Sequence, residues 1–300
     1  MQLQLKDLGN ILKCSFQDLK RNDPLRLAAA TAFFTTFALP AILIIIIQLF
    51  GWIYNPEIFS EELFEKLRIT LGFESAKQIH STLSGFQELA SNWYITAGGF
   101  IFLMFVATTL FKVIKDSLNQ IWDIKLIHGP RFGKRMKLRA KSMIVIILAG
   151  LLFLGNLVTD AMIILLSDVI NEFWPSGRGI IILILKQIIS IVIVTLWFAV
   201  LFKFLPDART PWKTVFGGAL FTGVLFMLGR YLLGILLPGS NIGNIYGASG
   251  SIVLILLFVF YSSFILYYGA SFTKQWGKHI KAPLVPHEQA MFYRLVELKK

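Results

Sequence analysis

The fold of this chain is decided by residues 211–276, which read PWKTVFGGALFTGVLFMLGRYLLGILLPGSNIGNIYGASGSIVLILLFVFYSSFILYYGASFTKQW. Two apolar runs in this stretch flank a turn of glycine, serine and asparagine, and Arg230 lies inside the first run. Each run exceeds the roughly 20 residues that cross the hydrocarbon of a bilayer. The stretch therefore predicts two membrane-spanning helices joined by a short turn.

The composition extends this prediction to the rest of the chain. Hydrophobic residues make up 56% of the 300 residues, charged residues 15%, and the mean hydropathy is +0.68. Soluble domains carry about 25% charged residues, so the soluble class is disfavoured. The single cysteine, Cys14, cannot form an internal disulfide. The first 23 residues contain no uninterrupted apolar run, so we expect no cleavable signal peptide.

Hydropathy predicts an all-α integral membrane protein, a six-transmembrane-helix bundle over residues 1–276 followed by a cytoplasmic tail over 277–300. The spans are predicted at about 28–53, 93–114, 142–167, 180–202, 212–237 and 251–272. Pro40 interrupts the first span and is expected to kink it. The acidic segment 55–92 predicts two short helices on the outer face.

Residues 1–22 predict an amphipathic helix outside the spans. Their apolar residues recur at three- and four-residue spacing, while Lys6, Lys13 and Lys20 fall largely off that stripe. This pattern is typical of a helix that lies on the membrane surface. A helix packed on cytoplasmic loops is the alternative.

Basic residues predict the orientation of the spans. Twenty-three Lys and Arg residues lie in segments that six spans would leave on one side, against four on the other. Basic loops are retained in the cytoplasm, so both termini are expected there. The net charge of +12 is explained in the same way.

Three formal charges fall well inside the predicted spans: Asp160, Lys186 and Arg230. Each lies about seven residues from the outer end of its span, which places all three roughly 10 Å below the outer boundary. Asp160 is expected to pair with one or both cations, because unpaired charges at this depth are costly, and Asn156 lies on the same helix face. A polar cavity for an anionic headgroup is one interpretation. Snorkelling of the two cations to the outer interface is the other.

The outer turn PGSNIGNIYGASGS carries no charge and is rich in glycine. Its backbone N–H groups could contact an anion, so Asn241 and Tyr246 are added to Asp160, Asn156, Lys186 and Arg230 as candidate substrate-binding residues. A tight loop between the fifth and sixth spans is the alternative.

Catalytic constellations are not found. A metal-dependent nuclease needs clustered carboxylates or histidines, and Asp116, Asp123 and His128 lack metal-ligand spacing. The basic run 131–141 is better explained as a cytoplasmic loop than as a nucleic-acid surface. No P-loop is present. We therefore expect no enzyme activity, no metal, no cofactor and no nucleic-acid partner.

Three stretches carry a resemblance to a known family: LAAATAFFTTFALPAILI, SLNQIW, and FLPDARTPWKTVFGGALFTGVLFMLGRYL with IYGASGSIVLILLFVFYSSFILYYGASF. Over roughly residues 20–280 the chain resembles the YihY/BrkB family of bacterial inner-membrane proteins, formerly labelled ribonuclease BN. The chain departs from the family at Ser271, where many members carry a carboxylate. The resemblance implies a multi-pass helical bundle and favours transport of lipid or envelope material over the older nuclease label.

The sequence thus predicts a transmembrane protein that transports or handles lipid or another anionic envelope component, with membrane lipids as partners. The alternative is a non-transporting structural or regulatory membrane protein that binds a cytoplasmic partner through its tail. A homo-oligomer is left open.

Overall fold

The computed structural model describes residues 5–50, 61, 64–65, 67–68, 73, 76–81, 93–127, 148, 178–236 and 250–293. Within these ranges lie six long helices and four short strands: α1 (Leu5–Lys20), α2 (Pro24–Phe50), α3 (Trp93–Ile121), β1 (Ile124–Leu126), α4 (Arg178–Phe204), β2 (Ala208–Arg209), α5 (Trp212–Leu236), α6 (Gly250–His279), β3 (Val285–Pro286) and β4 (Ala290–Phe292). The described positions between 61 and 81 are also helical, in the segment where two short helices were predicted.

The long helices coincide with five of the six predicted spans. Helices α2 to α6 cover the spans predicted near 28–53, 93–114, 180–202, 212–237 and 251–272, and 142–167 lies outside the described residues except for residue 148. Three windows of the described residues are long and apolar enough to cross a membrane: Ile182–Phe204, Trp212–Leu233 and Ile252–His279; Pro24–Leu39 is a shorter apolar helix. An all-α membrane protein is therefore supported, while the number six stays a prediction.

Two helices extend beyond the predicted spans. Helix α3 continues to Ile121 and α6 to His279, because the polar residues that end their apolar runs still favour helix. Helix α2 remains helical across Pro40, so the predicted kink stays a prediction. The extensions matter because they carry the charged side chains described below.

The ends of α3, α4 and α6 and the start of α5 meet at one end of the bundle, here called the polar end. Asn119, near the end of α3, donates its side-chain amide to Asp207 just after α4, at 2.9 Å. Thr214, at the start of α5, donates its hydroxyl to the carbonyl of Ala282 just after α6, at 2.6 Å. This arrangement agrees with the predicted alternation of spans.

Two pairs of short antiparallel strands close the polar end and are here called the β clasp. In one pair β1 lies beside β4, with Ile124 opposite Phe292, and in the other β2 lies beside β3, with Ala208 opposite Pro286. The segment predicted as a tail beyond residue 277 therefore folds back through residue 293 onto the connections that follow α3 and α4.

Helix α1 packs lengthwise against α6, and its predicted position on the membrane surface stays a prediction. A turn at Asn22 and Asp23 joins α1 to α2, and Asp23 takes a positive φ of 49°. Ile11, Ser15 and Leu19 are buried on the side of α1 that faces the bundle. The spacing of these residues makes one stripe down the helix, and α6 rather than a lipid surface covers it.

Helices α5 and α6 pack closely because small residues meet larger ones along the whole contact. A Cβ atom on Gly229 would overlap the ring and hydroxyl of Tyr261, and one on Gly218 would overlap Thr273. On the facing side, Gly269 gives the same close approach to Thr222. Such positions allow two helix backbones to approach each other in a membrane.

The best-packed part of the described bundle lies toward the polar end. Trp122, Tyr267 and Phe202 are fully buried there, whereas α4 exposes an apolar stripe along its outer side. The stripe consists of Leu183, Ile184, Ile188, Val192 and Leu196. An exposed apolar stripe of this length is expected to contact lipid acyl chains.

Candidate functional site

A buried lysine joins three segments at the polar end. The Nζ atom of Lys274 lies 2.7 Å from a carboxylate oxygen of Asp18 and 2.8 Å from one of Asp123, and it donates to the carbonyl of Ile121 at 2.9 Å. The side chains of Lys274 and Asp18 are each only 8% exposed. Three acceptors satisfy the three donors of a lysine ammonium, which is the condition for holding that charge away from water.

The local structure explains how these side chains converge. Asp18 lies in the last turn of α1, Lys274 in the extension of α6, and Asp123 in the turn after α3, where its φ is 54°. Arg21 approaches both carboxylates from the solvent side, at 3.1 Å from Asp18 and 3.5 Å from Asp123. Two cations and two carboxylates therefore balance one another.

This ion cluster lies at the wall of an open cavity of about 760 Å³. Besides the cluster, the cavity is lined by Trp122, Lys278, Leu284, Phe292 and Tyr293. The lining therefore contains both aromatic side chains and charged groups. Burial and the nearby carboxylate of Asp123 raise the pKa of the Tyr293 hydroxyl, and Lys274 and Arg21 oppose that rise. The hydroxyl therefore stays protonated at neutral pH and can donate a hydrogen bond.

A second buried ion pair lies at the junction of α3 and α4. Lys115 contacts Asp207 at 2.8 Å, with side-chain exposures of 8% and 11%. Asn119 donates to the same carboxylate and accepts from the Asp207 backbone N–H, each at 2.9 Å. Burial raises the pKa of the neighbouring carboxyl of Asp116, against the lowering effect of Lys112 and Lys115.

The intramembrane candidates are only partly within the described residues. Lys186 is exposed on α4 and Arg230 is half-buried on α5, and neither forms an ion pair with another residue of the described ranges. Asp160, Asn156, Asn241 and Tyr246 lie outside the described residues. The predicted pairing of Asp160 therefore stays a prediction.

Ser271 occupies the position where many family members were expected to carry a carboxylate. It is fully buried and donates its hydroxyl to the carbonyl of Ser15 at 2.7 Å. A short neutral donor suits this contact between α6 and α1, because a buried polar group needs a hydrogen-bond partner and the Ser15 carbonyl provides the acceptor. In this chain the position holds two helices together.

A smaller cavity of about 400 Å³ lies among the described positions between 61 and 81, lined by Glu61, Phe64, Glu65, Lys77 and His80. Within the ranges that the structure describes, no group of three or more His, Cys, Asp or Glu residues could hold a metal ion. Of the three nuclease candidates, Asp123 forms an ion pair with Lys274, and Asp116 lies near two lysines and the carboxylate of Asp207. His128 lies outside the described residues.

The sequence interpretation missed the polar-end residues. Lys274 was counted only among the cytoplasmic basic residues, Asp123 was considered only as a nuclease carboxylate, and Asp18 was not singled out. Their partners lie 151 residues or more away along the chain. One signal was available: Lys274 directly follows an apolar run, so an α-helix that continues past that run must bury or solvate the charge.

Comparisons with known proteins match most of the chain. The family model described as "Virulence factor BrkB" matches residues 15–290. A UPF0761 membrane protein of Psychrobacter sp. (strain PRwf-1) is 24% identical over 254 residues, 84% of this chain and 46% of that protein. One of Teredinibacter turnerae is 23% identical over 271 residues, 90% of this chain and 61% of its own length. The chain thus spans about half to three fifths of these two relatives. No solved structure matches it.

Proposed function

The chain belongs to the BrkB/YihY family of membrane proteins, and from this premise we propose that it transports or handles lipid, or another anionic component of the envelope, in a bacterial inner membrane with both termini in the cytoplasm. The proposal goes beyond the family, whose relatives are named only as membrane proteins. Its support comes from charges within the apolar helices.

One observation carries the proposal: α4 and α5 each hold a cation at a shared depth. The helices run antiparallel, and a Cβ on Gly223 would lie 2.8 Å from the Thr195 hydroxyl, which sets their register. Lys186 precedes Thr195 by nine residues and Arg230 follows Gly223 by seven. Since a helix rises 1.5 Å per residue, the two backbones differ in depth by about 3 Å.

Cations at such a position indicate a functional site. Each lies inside an apolar window, Ile182–Phe204 or Trp212–Leu233. Lys186 lies four residues and Arg230 three residues from the outer end of its window, so the roughly 2.5–3.5 kcal/mol for a cation at the centre of a helix is an upper limit here. Cations inside such helices commonly mark the path of a substrate or ion. A phosphate headgroup would supply the opposite charge, while the acyl chains stay beside the exposed stripe of α4.

Movement of a fluorescent anionic phospholipid between the leaflets of proteoliposomes tests the proposal. We expect Arg230→Gln to slow movement by about tenfold, the effect of losing one charge-assisted hydrogen bond. Arg230→Lys should retain part of the rate. Lys213→Gln, an exposed cation at the polar end of the same helix, is the matched control and should behave as wild type. Equal rates for Arg230→Gln and wild type would refute the site.

The non-transporting alternative also has an observation in its favour. The polar-end cavity has an exposed aromatic rim, with Phe292 56% exposed, which suits a protein partner. Removing residues 277–300 would also remove β3 and β4, so a point variant is the better test. Phe292→Ser should abolish capture of a partner from the membrane fraction, whereas Met291→Ser, exposed outside the cavity lining, should not.

A further inference from the structure

The residues of α1 and α6 that contact each other are separated by a nearly constant number of positions in the sequence. The Tyr268 hydroxyl donates to the carbonyl of Leu12 at 3.4 Å, and the Ser271 hydroxyl to that of Ser15 at 2.7 Å; both pairs are 256 positions apart. One turn further, Gln275 donates to Asp18, 257 positions away. Contacts that keep their separation over two turns require two helices that run side by side in the same direction.

This alignment places most of α1 beside the apolar part of α6. Counting back with the same separation, Leu5 lies level with Tyr261, which is nine residues after the start of the apolar window Ile252–His279. The hydrocarbon of a bilayer takes about 20 helical residues. Even when these are counted from Ile252, the outermost placement, they end at about residue 271, level with Ser15. Residues of α1 before Ser15 therefore lie within the hydrocarbon thickness.

The outward face of α1 is nevertheless polar. It consists of the exposed residues Gly9, Asn10, Lys13, Cys14, Gln17 and Lys20. The space beside Gly9 is free of other described residues, because a Cβ atom on Gly9 would meet none of them within 4 Å. Phe16 is the one exposed apolar side chain between Asp7 and Lys20, and it contacts Tyr268 at the flank of the helix.

A polar helix face at this depth needs water beside it. Polar groups that face lipid hydrocarbon go unsatisfied, and such surfaces occur at membrane depth only where protein or a water-filled space covers them. The long side chain of Lys13 could reach toward the polar end, but the short amide of Asn10 could not. No part of the chain that the structure describes covers this face, so a water-filled space is the simplest account.

The positive charge of this face favours an anionic ligand. Lys13 and Lys20 point outward, and the carboxylate of Asp18 is turned inward onto Lys274. We infer that the outward face of α1 is the wall of a water-filled groove, open at the polar end, that receives the phosphate headgroup of an anionic phospholipid. The choice of a lipid ligand rests on the proposed function, whereas the groove itself does not.

Cross-linking tests the position of α1. In a Cys14→Ser background, two double variants carry one cysteine on each helix: Ser15→Cys with Ser271→Cys, and Leu8→Cys with Phe264→Cys. The constant separation predicts that both pairs form disulfides under mild oxidation. A helix that lies flat on the membrane would cross α6 at one level, so failure of the Leu8 and Phe264 pair would overturn the inference.

Thiol labelling tests for water, since Cys14 is the only cysteine in the chain and is exposed. A charged thiol reagent is supplied to both sides of proteoliposomes by freezing and thawing. Only the thiolate reacts, so a cysteine in hydrocarbon should react at least about tenfold more slowly than one in water. We expect Cys14 to match Lys213→Cys at the polar end and to exceed Leu220→Cys on the outer face of α5. A rate like that of Leu220→Cys would refute the groove.

Lipid composition tests the occupant. The vesicles contain either phosphatidylcholine alone or an equal mixture with phosphatidylglycerol. We expect the mixture to slow the labelling of Cys14 about fivefold, whether the reagent is positively or negatively charged. This factor corresponds to the attraction between one cation and anionic headgroups. The effect should disappear in Lys13→Gln/Lys20→Gln. Equal slowing at Lys213→Cys would mean that no headgroup enters the groove. Failure of Arg230→Gln to slow lipid movement would instead refute the proposed function and leave the groove standing.

Discussion

Replacing Lys274 by methionine should destabilise the protein by about 3 kcal/mol, because it leaves a buried carboxylate without its main partner. Lys274 contacts Asp18 at 2.7 Å, and both side chains are 8% exposed. Breaking a buried pair costs about 3–5 kcal/mol. We expect the lower end, since Arg21 remains 3.1 Å from Asp18 and the second carboxylate, Asp123, is 30% exposed and can be solvated. The measurement is the free energy of unfolding in detergent micelles.

Two further variants make this prediction falsifiable. Arg209→Ala removes an exposed ion pair with Glu288, whose side chains are 63% and 83% exposed, and should cost less than about 1 kcal/mol. Asp18→Asn together with Lys274→Met removes the stranded charge, so the double variant should be more stable than Lys274→Met alone. A Lys274→Met variant that loses no more stability than Arg209→Ala would refute the reasoning.

The other predictions concern helix contacts and use the same unfolding measurement. Gly229→Ala should cost about 1–3 kcal/mol because the new Cβ overlaps Tyr261, while Gly9→Ala, in open space on a helix, should gain about 0.5–1 kcal/mol. Ser271→Ala should cost about 1 kcal/mol through its lost bond to α1. The Ser262 hydroxyl donates within α6, so Ser262→Ala should cost less stability than Ser271→Ala. A larger loss for Ser262→Ala would contradict the contact between Ser271 and α1.

The sequence predicted the helices well because crossing a membrane imposes a strong constraint on composition. About 20 apolar residues in a row can hardly form anything but a helix in lipid. Both ends of α4 and α5 and the start of α6 were therefore predicted to within a few residues. The end of α6 was missed by two turns, since apolar composition locates the end of the lipid-facing run and not the end of the helix.

The site could not be predicted to the same extent, because its contacts join residues distant in the chain. Nothing in the sequence pattern pairs Lys274 with Asp18, and strands of two or three residues such as β2 and β4 carry no detectable periodicity. The amphipathic pattern of α1 predicted a buried stripe correctly but could not distinguish lipid from α6 as the surface that buries it.

The β clasp has a consequence for how the chain matures. Strands β3 and β4 are the last described elements to leave the ribosome. They pair with β2 and β1, which are synthesised much earlier. All six long helices can therefore form before the connections between them acquire their final partners. A stop codon after His279 would spare every one of those helices, yet yield a product whose final assembly step never takes place.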